Sequence, residues 1–207
     1  PTGPPRSHGA SKDRRKFRLR VFPRPEPRDP SPVIVARLVE ATAVTPRTRL
    51  LRLQLDQPFA FTAGQAVLAG IAGSGQRAAY SMASAPALGA GGTLELLVVA
   101  DGAFGQTALD AVTVVGTTLE LEGPIGTFGV PDAADGAPLL LVAGGTGIAP
   151  LRSVLLDLVP RRPAPRLSLV YSARAADEFA FGDELDALAR DGRLALHCTV
   201  TRDEPGA

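Results

Sequence analysis

Cysteine occurs once in the 207 residues, at Cys198; tryptophan is absent and histidine occurs twice, at His8 and His197. A single cysteine closes no internal disulfide and cannot hold an iron–sulfur cluster, which usually takes four such ligands. A reducing compartment fits this usage. The two histidines form no H-E-x-x-H motif and no metal pair, and no G-x-S-x-G nucleophile elbow is present. His197 and Cys198 are adjacent on an expected strand and so project to opposite faces. Cys198 is expected as a small core residue. No apolar run approaches the roughly 18 residues a spanning helix needs, and no secretory h-region is visible. A cytoplasmic location is therefore expected, with an organelle stroma or matrix as the other option. Aromatics make up 5% of a chain that is 45% hydrophobic, so the core must be built from Ala, Val and Leu.

Acidic residues are scarce at one end only. Residues 1–32 hold nine Arg or Lys against three Asp or Glu, and eight prolines, so the segment carries +6 and the rest −5 of the overall +1. With few large apolar residues it cannot bury enough surface to offset its ordering entropy, and it reads as a disordered basic tail. Contact with nucleic acid or an anionic membrane through residues 6–28 is one reading. The remnant of an organelle transit peptide is another. An unstructured leader is the simplest, and no nucleic-acid partner is expected. The sequence opens at Pro1 rather than Met, which leaves the true N-terminus open.

From residue 33 to about 122 short strands alternate with Gly and Pro. Val33–Val39, Thr48–Leu55, Ala66–Ile71, Leu94–Val99 and Leu119–Glu122 are the candidates, and a short helix is expected near Gln106–Ala111. Several short strands with regular turn signals predict an antiparallel β-barrel or sandwich. After Gly136 the pattern changes. The buried runs Leu139–Ala143, Leu167–Tyr171 and Leu194–Val200 alternate with helical stretches at Leu151–Val159 and Phe181–Arg190, which predicts a parallel α/β sheet. The expected organisation is a tail over 1–32, a β-barrel domain over 33–130 and a partial α/β domain over 137–207.

Three motifs carry chemistry. In Leu139–Pro150 (LLLVAGGTGIAP) a buried strand ends in Gly144-Gly145-Thr146-Gly147 and a helix begins near Pro150. Glycines allow a tight turn and close approach of a phosphate; the helix start offers free N–H groups, and proline suits its first turn. The spacing Gly145-x-Gly147-x-x-Pro150 is not the G-x-G-x-x-G fingerprint, yet the strand–helix context favours a pyrophosphate cradle over a plain turn. The second motif is Arg77-Ala78-Ala79-Tyr80-Ser81: an Arg can fork onto a phosphate, a Tyr face can stack on a planar ring, and a Ser hydroxyl can donate to a ring nitrogen. An ordinary strand edge is the alternative. The third, Gly102-Ala103-Phe104-Gly105-Gln106-Thr107, reads as a phosphate-facing helix start or as a simple helix cap.

Taken in order, with Gly123-Pro124-Ile125-Gly126-Thr127-Phe128 between the last two, this series resembles the ferredoxin–NADP reductase superfamily over residues 33–207. The resemblance implies a flavin, usually FAD, on the barrel and NADPH or NADH on the α/β domain. It implies Tyr80 stacked on the flavin, Ser81 beside its reactive N5 as the catalytic contact, and main chain around Val98 and Val99 along its edge. Gly105, Gln106 and Thr107 would hold the FAD pyrophosphate; Gly144, Gly145, Thr146, Gly147 and Pro150 would cradle the nicotinamide nucleotide's phosphates. Ser172, Arg174, Thr201 and Arg202 follow the second and third α/β strands, where ligands bind such sheets, and favour the 2′-phosphate of NADPH. The implied activity is hydride transfer from NAD(P)H to FAD and onward delivery to an acceptor protein, such as a ferredoxin or an oxygenase component, or to a small molecule.

The pattern is departed from in two places. Arg77 stands three residues before Tyr80 instead of two, which on a strand turns it to the other face; either a β-bulge near Ala78-Ala79 restores it or it does not serve the flavin. The later Cys-Gly-x-Pro segment and terminal aromatic of the family are missing, so a flavin-binding subunit or sensor without its own nicotinamide turnover is the alternative function. Asp183, Glu184 and Asp186 read as a solvated helix face.

Overall fold

The computed structural model describes residues 33–99, 114–130, 137–161, 163 and 165–202. The basic tail, the helix expected at Gln106–Ala111 and the Gly105-Gln106-Thr107 segment lie outside the described residues.

The first unit is a six-stranded antiparallel sheet: β1 Val33–Thr45, β2 Thr48–Leu55, β3 Ala66–Ile71, β4 Ala78–Ser81, β5 Thr93–Val99 and β6 Thr118–Ile125, in the order β4-β3-β6-β1-β2-β5. It curls into a barrel-like sheet that does not close. Its two outer strands, β4 and β5, approach at an isolated Met82–Leu96 bridge, reinforced by the Ala83 N–H donating to the Glu95 carbonyl at 2.8 Å. Period-two alternation gives the sheet its apolar inner face. Ile34, Ala36 and Leu38 point inward from β1 while Val33, Val35 and Val39 stay exposed. Leu38, Leu51, Leu53, Leu94, Leu96 and Leu121 are fully buried, each contributing about 1.5–3 kcal/mol relative to exposure. β1 runs past the expected Val39 because register shifts at Leu38/Glu40 and Ala43/Thr45 re-phase it against β2. A short helix, α1 (Pro86–Ala90), opens on a proline and was not expected.

The second unit is a parallel sheet, β7 Leu139–Gly144, β8 Leu167–Ala173 and β9 Ala195–Val200, in that order. Helices α2 (Ile148–Leu158) and α3 (Gly182–Arg190) provide the crossovers. Ile148, Leu151, Leu155 and Leu158 bury one face of α2 at helical spacing. They join Leu141, Ala143, Leu169 and Tyr171 of the sheet in one core that also includes Ala63, Ala83 and Leu97 of the first unit. The two units therefore share apolar packing. On the other side of the parallel sheet Leu140 and Val142 are 66% and 67% exposed. No helix among the described residues is long and apolar enough to cross a membrane.

Two expectations about side chains are corrected. Cys198 is exposed, not a core residue; β9 is the outer strand of its sheet, so only one flank covers it. Partial burial and the Asp186 carboxylate hold its thiol above the ordinary value. Glu184 is not simply solvated: it accepts from Arg152 Nε at 2.9 Å.

Candidate functional site

A cleft of about 430 Å³ opens where the C-terminal ends of the parallel strands meet the β1–β2 hairpin. From the second unit it is lined by Gly144, Gly145, Thr146, Ser172, Ala173, Arg174, Glu178, Ala180 and Thr201, and from the first by Thr45, Arg47, Thr48 and Val99. It thus gathers seven residues singled out from the sequence: Val99, Gly144, Gly145, Thr146, Ser172, Arg174 and Thr201.

The floor is the glycine turn. β7 ends at Gly144, Gly145–Gly147 form one 3-10 turn, and α2 begins at Ile148 with Gly147 as its N-cap and no side chain capping it. Gly145 adopts φ +50°, and a Cβ built there, at Gly144 or at Gly147 would meet nothing within 4 Å. The turn is therefore open, not packed shut, and its uncapped amides are of the kind that bind phosphate. Beneath it, the fully buried Tyr171 hydroxyl donates to the Gly145 carbonyl at 3.1 Å and accepts from the Ala180 N–H at 3.2 Å. Burial pushes that phenol up to about 12. Phe179 packs edge-on against the Tyr171 ring at 5.0 Å.

The roof is the hairpin. Thr45 and Thr48, both buried, share a hydroxyl hydrogen bond of 2.8 Å, and the Arg47 N–H donates to Thr45 Oγ1 at 3.2 Å. That fixes the turn from which Arg47 reaches Glu178 across the cleft at 3.7 Å. With Arg174 at the end of β8, two cations stand at one opening. Thr45, Arg47, Thr48 and Glu178 were not foreseen. A threonine pair flanking Pro46-Arg47 is an ordinary turn signal, and nothing local says which element the turn faces.

The remaining candidates lie elsewhere. Gly147 and Pro150 belong to the helix start but do not line the cleft; Arg202 donates its N–H to the Arg174 carbonyl at 3.0 Å, beyond the lining. Val98 is buried in the barrel core while its neighbour Val99 faces the cleft, as alternation requires. Tyr80 and Ser81 sit on β4, half-buried, with Tyr80 packed against the barrel core and its phenol shifted upward by burial. The pairing of β4 with β3 runs one for one from Ala78 to Ser81. The restoring bulge near Ala78-Ala79 is therefore absent. Arg77 forks instead onto Glu120 at 2.7 Å and Glu122 at 3.2 Å of β6. Among the described residues no cluster of three or more His, Cys, Asp or Glu could hold a metal.

Sequence comparison assigns the two units separately. Residues 35–129 match the oxidoreductase FAD-binding domain and residues 141–207 the oxidoreductase NAD-binding domain. Ferredoxin–NADP reductase B of Sorangium cellulosum is 36% identical over 176 residues, covering 82% of this chain and 70% of that protein. The reductase subunit of an aromatic O-demethylase from Amycolatopsis is 34% identical over 175 residues, covering 83% of this chain and 52% of that one. The crystal structure of an Amycolatopsis cytochrome P450 reductase superposes with a TM-score of 0.74 at 28% identity, over 84% of this chain and 54% of that one. The chain thus spans about half the length of the two Amycolatopsis proteins. The glycine turn falls within the second of the two domain matches and most of the barrel within the first, and the chain belongs to the ferredoxin–NADP reductase-like superfamily of FAD-binding oxidoreductases.

Proposed function

We propose that this chain forms the core of an NAD(P)H-dependent flavin reductase that feeds electrons to a carrier protein or an oxygenase component. The observation that carries the reading is the shared cleft. An open, uncapped glycine turn from the parallel sheet faces Val99 of the barrel across about 430 Å³. A nicotinamide nucleotide held by its phosphates on that turn would extend toward the barrel strand that carries Val98 and Val99.

The residues divide by task. Gly144, Gly145 and Thr146 present backbone amides to the nucleotide's phosphates, with Gly147 and Pro150 starting the helix whose dipole favours negative charge there. Ser172 and Arg174 offer a hydroxyl and a guanidinium suited to the 2′-phosphate of NADPH, and Thr201 stands beside them on the adjacent strand end, its hydroxyl donating to the Ala173 carbonyl at 3.3 Å. Arg202 adds positive charge outside the cleft. On the barrel, Tyr80 offers an aromatic face and Ser81 a hydroxyl, and the strand of Val98 and Val99 offers its main chain; Gly105, Gln106 and Thr107 are assigned the FAD pyrophosphate. Arg77 is assigned to β6, where it neutralises two carboxylates. The flavin, when bound, supplies the chemistry of accepting a hydride from the reduced nicotinamide and releasing the electrons onward. The acceptor is proposed as a protein because the Sorangium and Amycolatopsis relatives are named as a ferredoxin reductase and a reductase subunit.

The test is spectroscopic. The purified protein should carry a yellow flavin chromophore, and anaerobic NADPH should bleach it faster than NADH at equal concentration. A colourless protein that takes up neither FAD nor FMN sinks the reading. A coloured protein that neither nucleotide bleaches makes it a flavin-binding subunit instead.

A further inference from the structure

Between the two units, away from the cleft lining, lies a buried ionic joint. Arg152 stands in the second turn of α2, five positions after Gly147. Its side chain is 11% exposed. Nη1 donates to the Ala83 carbonyl at 2.9 Å and to Glu95 Oε2 at 2.8 Å, and Nε donates to Glu184 Oε2 at 2.9 Å. The guanidinium also lies 4.5 Å from the centroid of the Phe181 ring, and Phe181 holds a left-handed φ of 63°, a conformation disfavoured for a bulky residue.

Glu95 is the other half of the joint. Its side chain is 4% exposed on β5, and its Oε1 accepts from Arg52 Nη2 at 2.8 Å and Nε at 3.1 Å. Its main chain is tied as well: the Glu95 N–H donates to Ser84 Oγ at 3.2 Å, and the Glu95 carbonyl accepts from the Ala83 N–H at 2.8 Å. Ala83 is two residues past Ser81, and Glu95 is three residues before Val98. One guanidinium therefore connects the helix that begins at the phosphate turn with both barrel segments that carry the flavin-side candidates.

Adhesion between the units does not require this joint. Apolar contact of Ala63, Ala83 and Leu97 with the α2 core already supplies it, but such contact is non-directional. Replacing a buried ion pair by apolar groups is often neutral or stabilising, so stability alone is a weak account of it. A charge-assisted, multiply bonded fork fixes direction and distance.

We infer that Arg152 and Glu95 are positioning residues that set the distance and angle between the nucleotide's phosphate turn and the flavin-lining strands. The inference rests on the hydride-transfer reading above. Misplacement of reacting groups by ~1 Å can cost on the order of 100-fold in rate, so the joint is expected to act on the transfer step and not on binding.

The test compares the flavin-loaded native protein with Arg152→Met, Arg152→Lys and Glu95→Gln. Flavin content and NADPH affinity should stay within about twofold of native, while the rate of anaerobic flavin bleaching in stopped flow falls by about tenfold or more in Arg152→Met. Lysine keeps one charge contact but not the fork, so Arg152→Lys should recover part of the rate. A second measurement needs no turnover. With Cys198 replaced by Ser, spin labels at Ser74 and Asp191, both exposed, should give a broader inter-unit distance distribution in Arg152→Met than in the native protein. Native bleaching rates overturn the inference, as does an unchanged distance distribution. If the native protein itself is not bleached, the reductase reading falls, and the distance distribution alone then decides whether Arg152 orients the units.

Discussion

The Tyr171 hydroxyl donates to the carbonyl of Gly145 from below the glycine turn, at 3.1 Å. The bond ties the centre of the parallel sheet to the place where phosphate is proposed to bind, and the same oxygen accepts from Ala180 in the following loop. Tyr171→Phe leaves a carbonyl and an N–H without their partner in a buried setting. The expected cost is about 1–3 kcal/mol of stability, read as a lower urea midpoint. Nucleotide affinity should weaken as the turn loosens, whereas flavin content should not change, since both hydrogen bonds of the Tyr171 hydroxyl are made to Gly145 and Ala180 on the parallel-sheet side of the cleft. Equal losses of flavin and nucleotide binding would count against a role confined to the turn.

Gly145 provides a sharper separation of fold from binding. Its φ of +50° disfavours a side chain, but the space around it is open. Gly145→Ala should cost only about 1 kcal/mol of backbone strain and still fold. Its new methyl would stand where the phosphates are proposed to approach, so NADPH binding should fall by at least tenfold, measured by calorimetry. Gly70→Ala is the contrasting control: a Cβ there would run into the Gln76 carbonyl, and the variant should fail to accumulate as folded protein.

Local pattern carried the strands β2 and β3 to their ends, because TRLLRLQL and AVLAGI sit between turns that a single reading frame can see. The glycine turn was legible for the same reason: its conformation depends on backbone freedom within a few consecutive residues. What escaped depends on partners far apart. Glu95 lies inside LELLVV and looks like an interruption of an apolar strand; its partner Arg152 is 57 positions away. Arg77 was legible as a guanidinium looking for anions, and it finds two carboxylates on β6 because β4 pairs with β3 without a bulge. Cys198 alternates correctly for a core position, but an outer strand leaves that position uncovered.

The cations at the cleft mouth lead to opposite expectations for their neighbours. Arg174→Ala should weaken NADPH binding by about tenfold, equivalent to about 1.4 kcal/mol, and leave NADH binding nearly unchanged. Arg47→Ala should weaken both, because the hairpin faces the cleft as a whole. Glu178 presents a carboxylate to Arg47 in the same opening and would compete with the phosphate proposed to bind there. Glu178→Gln should therefore tighten NADPH binding a few-fold while altering stability by less than about 1 kcal/mol, since the 3.7 Å pair is long and its Arg47 side chain is exposed. Titrations of both nucleotides against the three variants check the pattern; weaker NADPH binding in Glu178→Gln would contradict it.

The joint at Glu95 also makes a prediction about acid. Burial alone would raise this carboxyl, but hydrogen bonds and charge from Arg152 and Arg52 outweigh it and hold the group below its ordinary value of 4.5. A carboxyl lowered by folding contributes stability that is fully present above its unfolded value and is lost as pH falls through the folded one. Native stability should therefore decline as pH drops below about 4.5. Glu95→Gln should be the less stable protein at neutral pH, by about 1–3 kcal/mol for a buried partner left incompletely bonded. The gap should then narrow steadily in acid, because the native protein loses a contribution that the glutamine never had. Glu120, held low by Arg77, should keep some acid sensitivity in the variant. Urea midpoints recorded from neutral pH down to about pH 3 give the difference directly. A gap of constant size across that range would mean that Glu95 stays ionised throughout or that its charge contributes nothing to folding.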